Sequence, residues 1–107
     1  MGIKDRFVKG YVKKHPEIIE EIMREGGIPY KTNGDKGVAL SPDQFDRLKD
    51  SGVITETEEG LELNIPPEEC ELIPGAVKVG GACLLRYYKR PNDPNSVRLV
   101  RLNIRED

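Results

Sequence analysis

The sequence predicts a small α+β domain, and three observations carry that reading. Two stretches near the N-terminus repeat their apolar residues at helical spacing. One central segment holds a complete set of helix-start signals. Most of the remainder breaks into short apolar runs joined by Asn-Gly, Glu-Gly and Gly-Gly pairs, the punctuation of antiparallel hairpins. Two N-terminal helices, one short central helix and several hairpins make an α+β domain.

The elements follow in chain order. Ile3, Phe7, Val8, Tyr11 and Val12 recur at helical spacing while Lys4, Lys9, Lys13 and Lys14 fall largely elsewhere, an amphipathic helix. Its lysines beside Phe7 and Tyr11 would suit an anionic membrane, but so ordinary a stripe is expected to pack on the sheet. Pro16 ends or kinks this helix. Ile18, Ile19, Ile22 and Met23 then form a second stripe, stopped by Gly26-Gly27. This helical segment spans residues 1–27 of a single domain covering residues 1–107.

Residues 28–65 read as hairpin, helix, hairpin. Asn33-Gly34 accepts the positive φ angles of a tight turn. Ser41 is an N-cap, Pro42 sits at the first helical position and Gln44 completes a capping box. Phe45 and Leu48 supply the buried side, and Gly52 ends the helix. "VITETEEGLELNI" is expected to turn near Glu59-Gly60. Pro66-Pro67 forces an irregular connection. Residues 76–105 form C-terminal antiparallel strands, turning first at Gly80-Gly81 and again through "PNDPNS".

The run "SPDQFDRLKDSGVITETEEGLELNI", a helix, a glycine and a hairpin, resembles the end of a winged-helix DNA-binding domain. The resemblance covers about twenty-five residues and implies a recognition helix followed by a wing. The helix, however, sets Asp43, Asp46 and Asp50 against Arg47 and Lys49. The wing would hold Glu56, Glu58, Glu59 and Glu62. Acidic groups repel the phosphate backbone, so such a unit is expected to face protein rather than DNA.

Composition narrows the function classes. The 107 residues suffice for one small core and not for a large buried active site besides. Charge is unevenly placed: residues 1–15 carry five Lys/Arg and one Asp, and residues 16–75 five against fifteen acids. Residues 76–107 carry seven Lys/Arg against three acids, so both ends are basic. Cys70 and Cys83 form neither a Cys-x-x-Cys pair nor a disulfide-dense framework, which predicts reduced thiols and a cytoplasmic setting. Cys83 reads as a small core residue. The first fifteen residues lack a signal-peptide apolar run. Arg6 also stands where a myristoylation motif wants Ser or Thr.

No catalytic, metal or cofactor signature emerges. His15 is the one histidine and sits at a helix boundary. Glu68, Glu69, Cys70 and Glu71 lack ligand spacing. Nothing near Ser41, Ser51 or Ser96 resembles a nucleophile elbow, and no glycine-rich phosphate loop opens a helix.

What remains is "LLRYYKRPNDPNSVRLVRLNIR", Leu84 to Arg105. Strands alternate their side chains between two faces. Cys83, Leu85 and Tyr87 share one face with Val100, Leu102 and Ile104 of the last strand. The opposite face would carry Arg86, Arg90, Arg101 and Arg105 beside Tyr88, with Lys89 and Arg98 at its rim. Guanidinium groups neutralise phosphates and a tyrosine stacks on an unpaired base. The expectation is a non-catalytic binding or accessory module that contacts nucleic acid, DNA or RNA, through this basic hairpin. The same arginines suit an acidic protein surface, so the alternative is a protein-interaction subunit or assembly factor within a homo- or hetero-oligomer.

Overall fold

The first described helix, α1 (Glu17–Glu25), buries Ile19 and Ile22. It ends where Gly26 takes φ +75° and returns its N–H to the Ile22 carbonyl at 2.8 Å. The computed structural model describes residues 17–104. The helix expected over residues 1–15, Pro16 and Arg105 lie outside them.

Strands β1 (Ile28–Thr32) and β2 (Asp35–Ala39) pair antiparallel around Asn33-Gly34, with Thr32 opposite Asp35. Helix α2 (Pro42–Asp50) has the expected capping box. Ser41 Oγ accepts from the Gln44 N–H at 3.0 Å, and Gln44 Oε1 accepts from the Ser41 N–H at 2.9 Å. The Gln44 amide nitrogen also donates to Glu25 Oε1 and to the Gly26 carbonyl, 3.0 and 2.9 Å away. One side chain therefore closes the start of α2 onto the end of α1.

Strands β3 (Ile54–Thr57) and β4 (Gly60–Leu63) form the next hairpin. Thr57 pairs with Gly60, so the turn is Glu58-Glu59, one position earlier than expected. Thr57 explains the shift: its hydroxyl accepts from the Glu59 N–H at 3.1 Å and donates to the Gly60 carbonyl at 3.0 Å. After Pro66 the chain makes a 3-10 helix, Pro67–Leu72. Strands β5 (Ala76–Val79) and β6 (Ala82–Tyr88) turn at Gly80-Gly81, and β7 (Val97–Ile104) follows a second 3-10 turn, Pro94–Ser96.

These five strands make one sheet in the order β3-β4-β7-β6-β5, antiparallel except for β4 beside β7. Its inner face is the one the alternation pointed to. Cys83, Leu85 and Leu102 are fully buried there, with Tyr87 and Val100 packed against the same core. Ile19 and Ile22 of α1 and Phe45 and Leu48 of α2 join that core, and the Phe45 ring stacks on Tyr87 with centroids 4.1 Å apart.

Cys83 has a second role that overturns the expectation of reduced thiols. It forms a disulfide with Cys70, thirteen residues earlier, both cysteines having no exposed surface. The bond fastens the Pro67–Leu72 turn beneath β6. Spacing could not reveal it, because the pairing depends on how the irregular connection after Pro66 folds back.

The β1–β2 hairpin is the element that reshapes the opposite face. Leu40, just past β2, bridges to Tyr87: its N–H donates to the Arg86 carbonyl at 3.0 Å and its carbonyl accepts from the Tyr88 N–H at 2.8 Å. This docks the hairpin against β6 beyond the reach of β5. Gly75, at φ +85°, lies in the seam: a Cβ there would stand 3.0 Å from the Val38 carbonyl oxygen and 3.2 Å from that of Arg86. Only glycine fits such an approach without strain.

Candidate docking face and cleft on the outer sheet

The outer face of the sheet is set by the register. Val77 lies opposite Leu84, Leu84 opposite Arg101, Arg86 opposite Leu99, and Tyr88 opposite Val97. Residues directly opposite point to the same side. Arg86, Arg101 and Tyr88 thus share a face, as the alternation implied, but their surroundings differ sharply from one end to the other.

At one end the face is closed. Tyr88 is 2% exposed and packs with Tyr30, Ala39 and Val97 in a second small apolar cluster. Its hydroxyl donates to the Pro29 carbonyl at 2.8 Å. A ring held and covered this way has no free surface for a base, which corrects the expectation that Tyr88 stacks. Arg86 sits at the border of the closed end, its Nε 3.8 Å from Asp35 Oδ2. Tyr30 donates its hydroxyl to the same oxygen at 2.8 Å. Burial, and then the Asp35 carboxylate, hold the Tyr30 hydroxyl above its ordinary titration range.

Arg90 is also not where strand alternation would put it. Strand β6 ends at Tyr88, and the following loop is clipped by Ser96. The Ser96 hydroxyl accepts from the Arg90 N–H at 3.0 Å and lies 2.7 Å from the Asp93 carbonyl, to which it donates. The Arg90 guanidinium donates twice to Asp93 Oδ2, at 2.8 and 3.2 Å. That hydrogen bond, ahead of other causes, lowers the Asp93 pKa. Arg90 is thus a paired loop residue rather than a member of the sheet face. Arg98 is exposed, and its guanidinium rests on the carbonyls of Asn95 and Val97, 3.3 and 3.4 Å away. Lys89 and Arg101 are exposed and form no ion pair among the described residues. The four-arginine face of the sequence reading reduces, within the described residues, to Arg86 and Arg101.

At the other end the face is open and more apolar than expected. Val77, Val79 and Leu99 are 38%, 54% and 52% exposed, and Leu84 lies half-buried between them. Alternation already set Leu84 and Leu99 on the side of the arginines; the pairing of β5 with β6 adds Val77 and Val79 to it. Leu84 and Leu99 occupy one diagonal of a four-residue square, Arg86 and Arg101 the other. Diagonal positions on a sheet stand about 7–8 Å apart, so each guanidinium is bordered by leucine rather than by the other charge. The adjoining edge strand β5 is guarded: the Ala76 N–H goes to the Ile73 carbonyl at 3.0 Å, and the Lys78 N–H meets Glu71 Oε2 at 3.3 Å. With those donors engaged inside the chain, the face rather than the edge is the surface on offer.

Between the hairpin and β7 lies a cleft of about 350 Å³, with Tyr30, Asp35, Arg86, Asn95, Val97 and Leu99 among its walls. Sequence reasoning missed Tyr30 and Asp35, which lie far from β6 in sequence and meet it only through the hairpin docking, and Asn95, which the β6–β7 loop brings to the cleft. Among the described residues no group of three or more His, Cys, Asp or Glu side chains is placed to hold a metal. No described helix is long and apolar enough to cross a membrane. Comparison with protein-family models, curated proteins and solved structures returns no match for this chain.

Proposed function

We propose that this domain is a protein-interaction module and that the open half of its outer sheet face is the docking surface. The observation that carries the reading is the clustering of Val77, Val79 and Leu99, all exposed, on one face around Leu84. Contiguous apolar surface is what an interface buries at its centre, and arginine is the charged residue most at home there. Arg101 stands within the patch and Arg86 at its border. The complementary partner presents an apolar ridge flanked by carboxylates, which a guanidinium grips with paired hydrogen bonds.

The helix–hairpin unit, α2 with β3 and β4, is winged-helix-like in element order, and it faces protein in this reading. Asp43, Asp46, Asp50, Glu56, Glu58 and Glu59 surround it with charge that repels phosphate. We keep the cytoplasm as the site of action. A disulfide is rare in that compartment, and the Cys70–Cys83 bond lies with both cysteines fully buried.

Contact with nucleic acid is the second reading, favoured by the exposure of Lys89, Arg98 and Arg101 at the C-terminal strands. Co-purification separates the two. The tagged protein should recover one defined partner in fixed stoichiometry from nuclease-treated extract. The Val79→Asp, Leu99→Asp double variant should lose it while melting within a few degrees of wild type. Recovery that disappears on nuclease treatment, or survives the double variant, would overturn the docking proposal.

A further inference from the structure

We infer that the cleft between the β1–β2 hairpin and β7 is a binding site for a guanine base, taken free as a mononucleotide or unpaired within a single strand. The inference goes beyond the docking reading and does not depend on it. It starts from what the polar groups in the cleft leave unused. Asp35 receives the Tyr30 hydroxyl on Oδ2 and faces Arg86 Nε with that same oxygen. Its Oδ1 therefore has no donor among the described residues, and the carboxylate is half exposed. A guanidinium offers five N–H donors, and the contacts of Arg86 with Asp35 and Tyr30 occupy only part of that set. An open acceptor and open donors thus stand side by side in a cleft that Asn95, Val97 and Leu99 also line.

A ligand suited to this pair must present acceptors to Arg86 and, next to them, donors to Asp35. Among the nucleobases guanine does so. Its O6 and N7 accept from an arginine fork, while the adjoining N1–H donates to the open Oδ1 of the carboxylate. Adenine reverses the order, setting its amino group against the guanidinium and its bare N1 against the carboxylate. Cytosine and uracil supply fewer matched groups. Apolar side chains that cover a flat ring complete the requirement, and Leu99 is exposed enough to do so. The base must be unpaired, since the edge that meets Asp35 is the edge a duplex uses.

The test is a titration of the uniformly labelled full chain, followed by amide shifts in NMR, with GMP, AMP, CMP and UMP. Parallel titrations use a short single-stranded oligonucleotide carrying one guanine and its adenine-substituted twin. Shifts at Tyr30, Asp35, Arg86 and Leu99 should saturate with guanine and require at least roughly ten-fold more of the adenine counterpart, the discrimination one bidentate contact supports. Binding of GMP identifies a mononucleotide site. Binding of the guanine oligonucleotide alone identifies a strand-borne base. Asp35→Asn should abolish the preference for guanine with the fold intact by its amide spectrum, and Val79→Asp should leave it unchanged. Absence of shifts at these residues with every probe, or equal binding of guanine and adenine, would overturn the inference.

Discussion

Tyr88 is the residue on which the account turns. Its position in β6 assigned it to the outer face, and that assignment holds. What alternation cannot convey is whether another element lies on that face. Here the answer comes from Pro29, fifty-nine positions away, whose carbonyl accepts the Tyr88 hydroxyl. Tyr88→Phe should therefore cost stability rather than binding. Losing one buried hydrogen bond and stranding its acceptor costs about 1–2 kcal/mol, read from urea unfolding with an unchanged denaturant slope. Arg86, Arg90 and Arg101 teach the same lesson. Sequence supplied their charge and, for two of them, their side of the sheet. The carboxylates that engage Arg86 and Arg90, Asp35 and Asp93, became visible only with the folded loops around them.

At the scale of elements, local chemistry was legible where it is local. The capping box of α2 and the turns at Asn33-Gly34 and Gly80-Gly81 formed as their residues dictate, because each depends on neighbours within a few positions. The β3–β4 turn moved by one residue because the Thr57 hydroxyl secures Glu58-Glu59. The link between helices was not legible. Arg47 lies 2.6 Å from Glu25, 3.0 Å from Asp43 and 3.5 Å from Glu21, tying α2 to α1. The hydrogen bond from Arg47, followed by that from Gln44, holds Glu25 below its ordinary 4.5. A carboxylate depressed in the folded state contributes stability that is full above its unfolded pKa and is lost as pH falls through the folded value. The stability gap between wild type and Arg47→Met should thus be constant at neutral pH and narrow below 4.5, measured by thermal melts across an acid series. For exposed pairs each contact is worth under about 1 kcal/mol, so the gap is expected to be modest. The disulfide is a larger element-scale term. Closing a loop of this size stabilises by about 3 kcal/mol in the chain-entropy model. The Cys70→Ala, Cys83→Ala double variant should lose roughly that amount in denaturant unfolding.

Seen whole, the molecule is a sheet with two unlike faces. Helices α1 and α2 close the inner face over the main core, and the β1–β2 hairpin closes one end of the outer face. The remaining outer surface is an apolar patch bordered by arginine. The α+β class was legible from the spacing of apolar residues, since helices and hairpins impose different periods. The division of the outer face was not, because it arises from a hairpin meeting strands distant in sequence. Hydroxyl-radical footprinting of the protein alone and with its co-purified partner tests that division most directly. The account predicts that Val79 and Leu99 are oxidised freely in the isolated protein and protected in the complex, while Tyr88, reactive by nature, stays protected in both. Free oxidation of Tyr88 in the isolated protein, or unchanged labelling of Val79 and Leu99 in the complex, would contradict it.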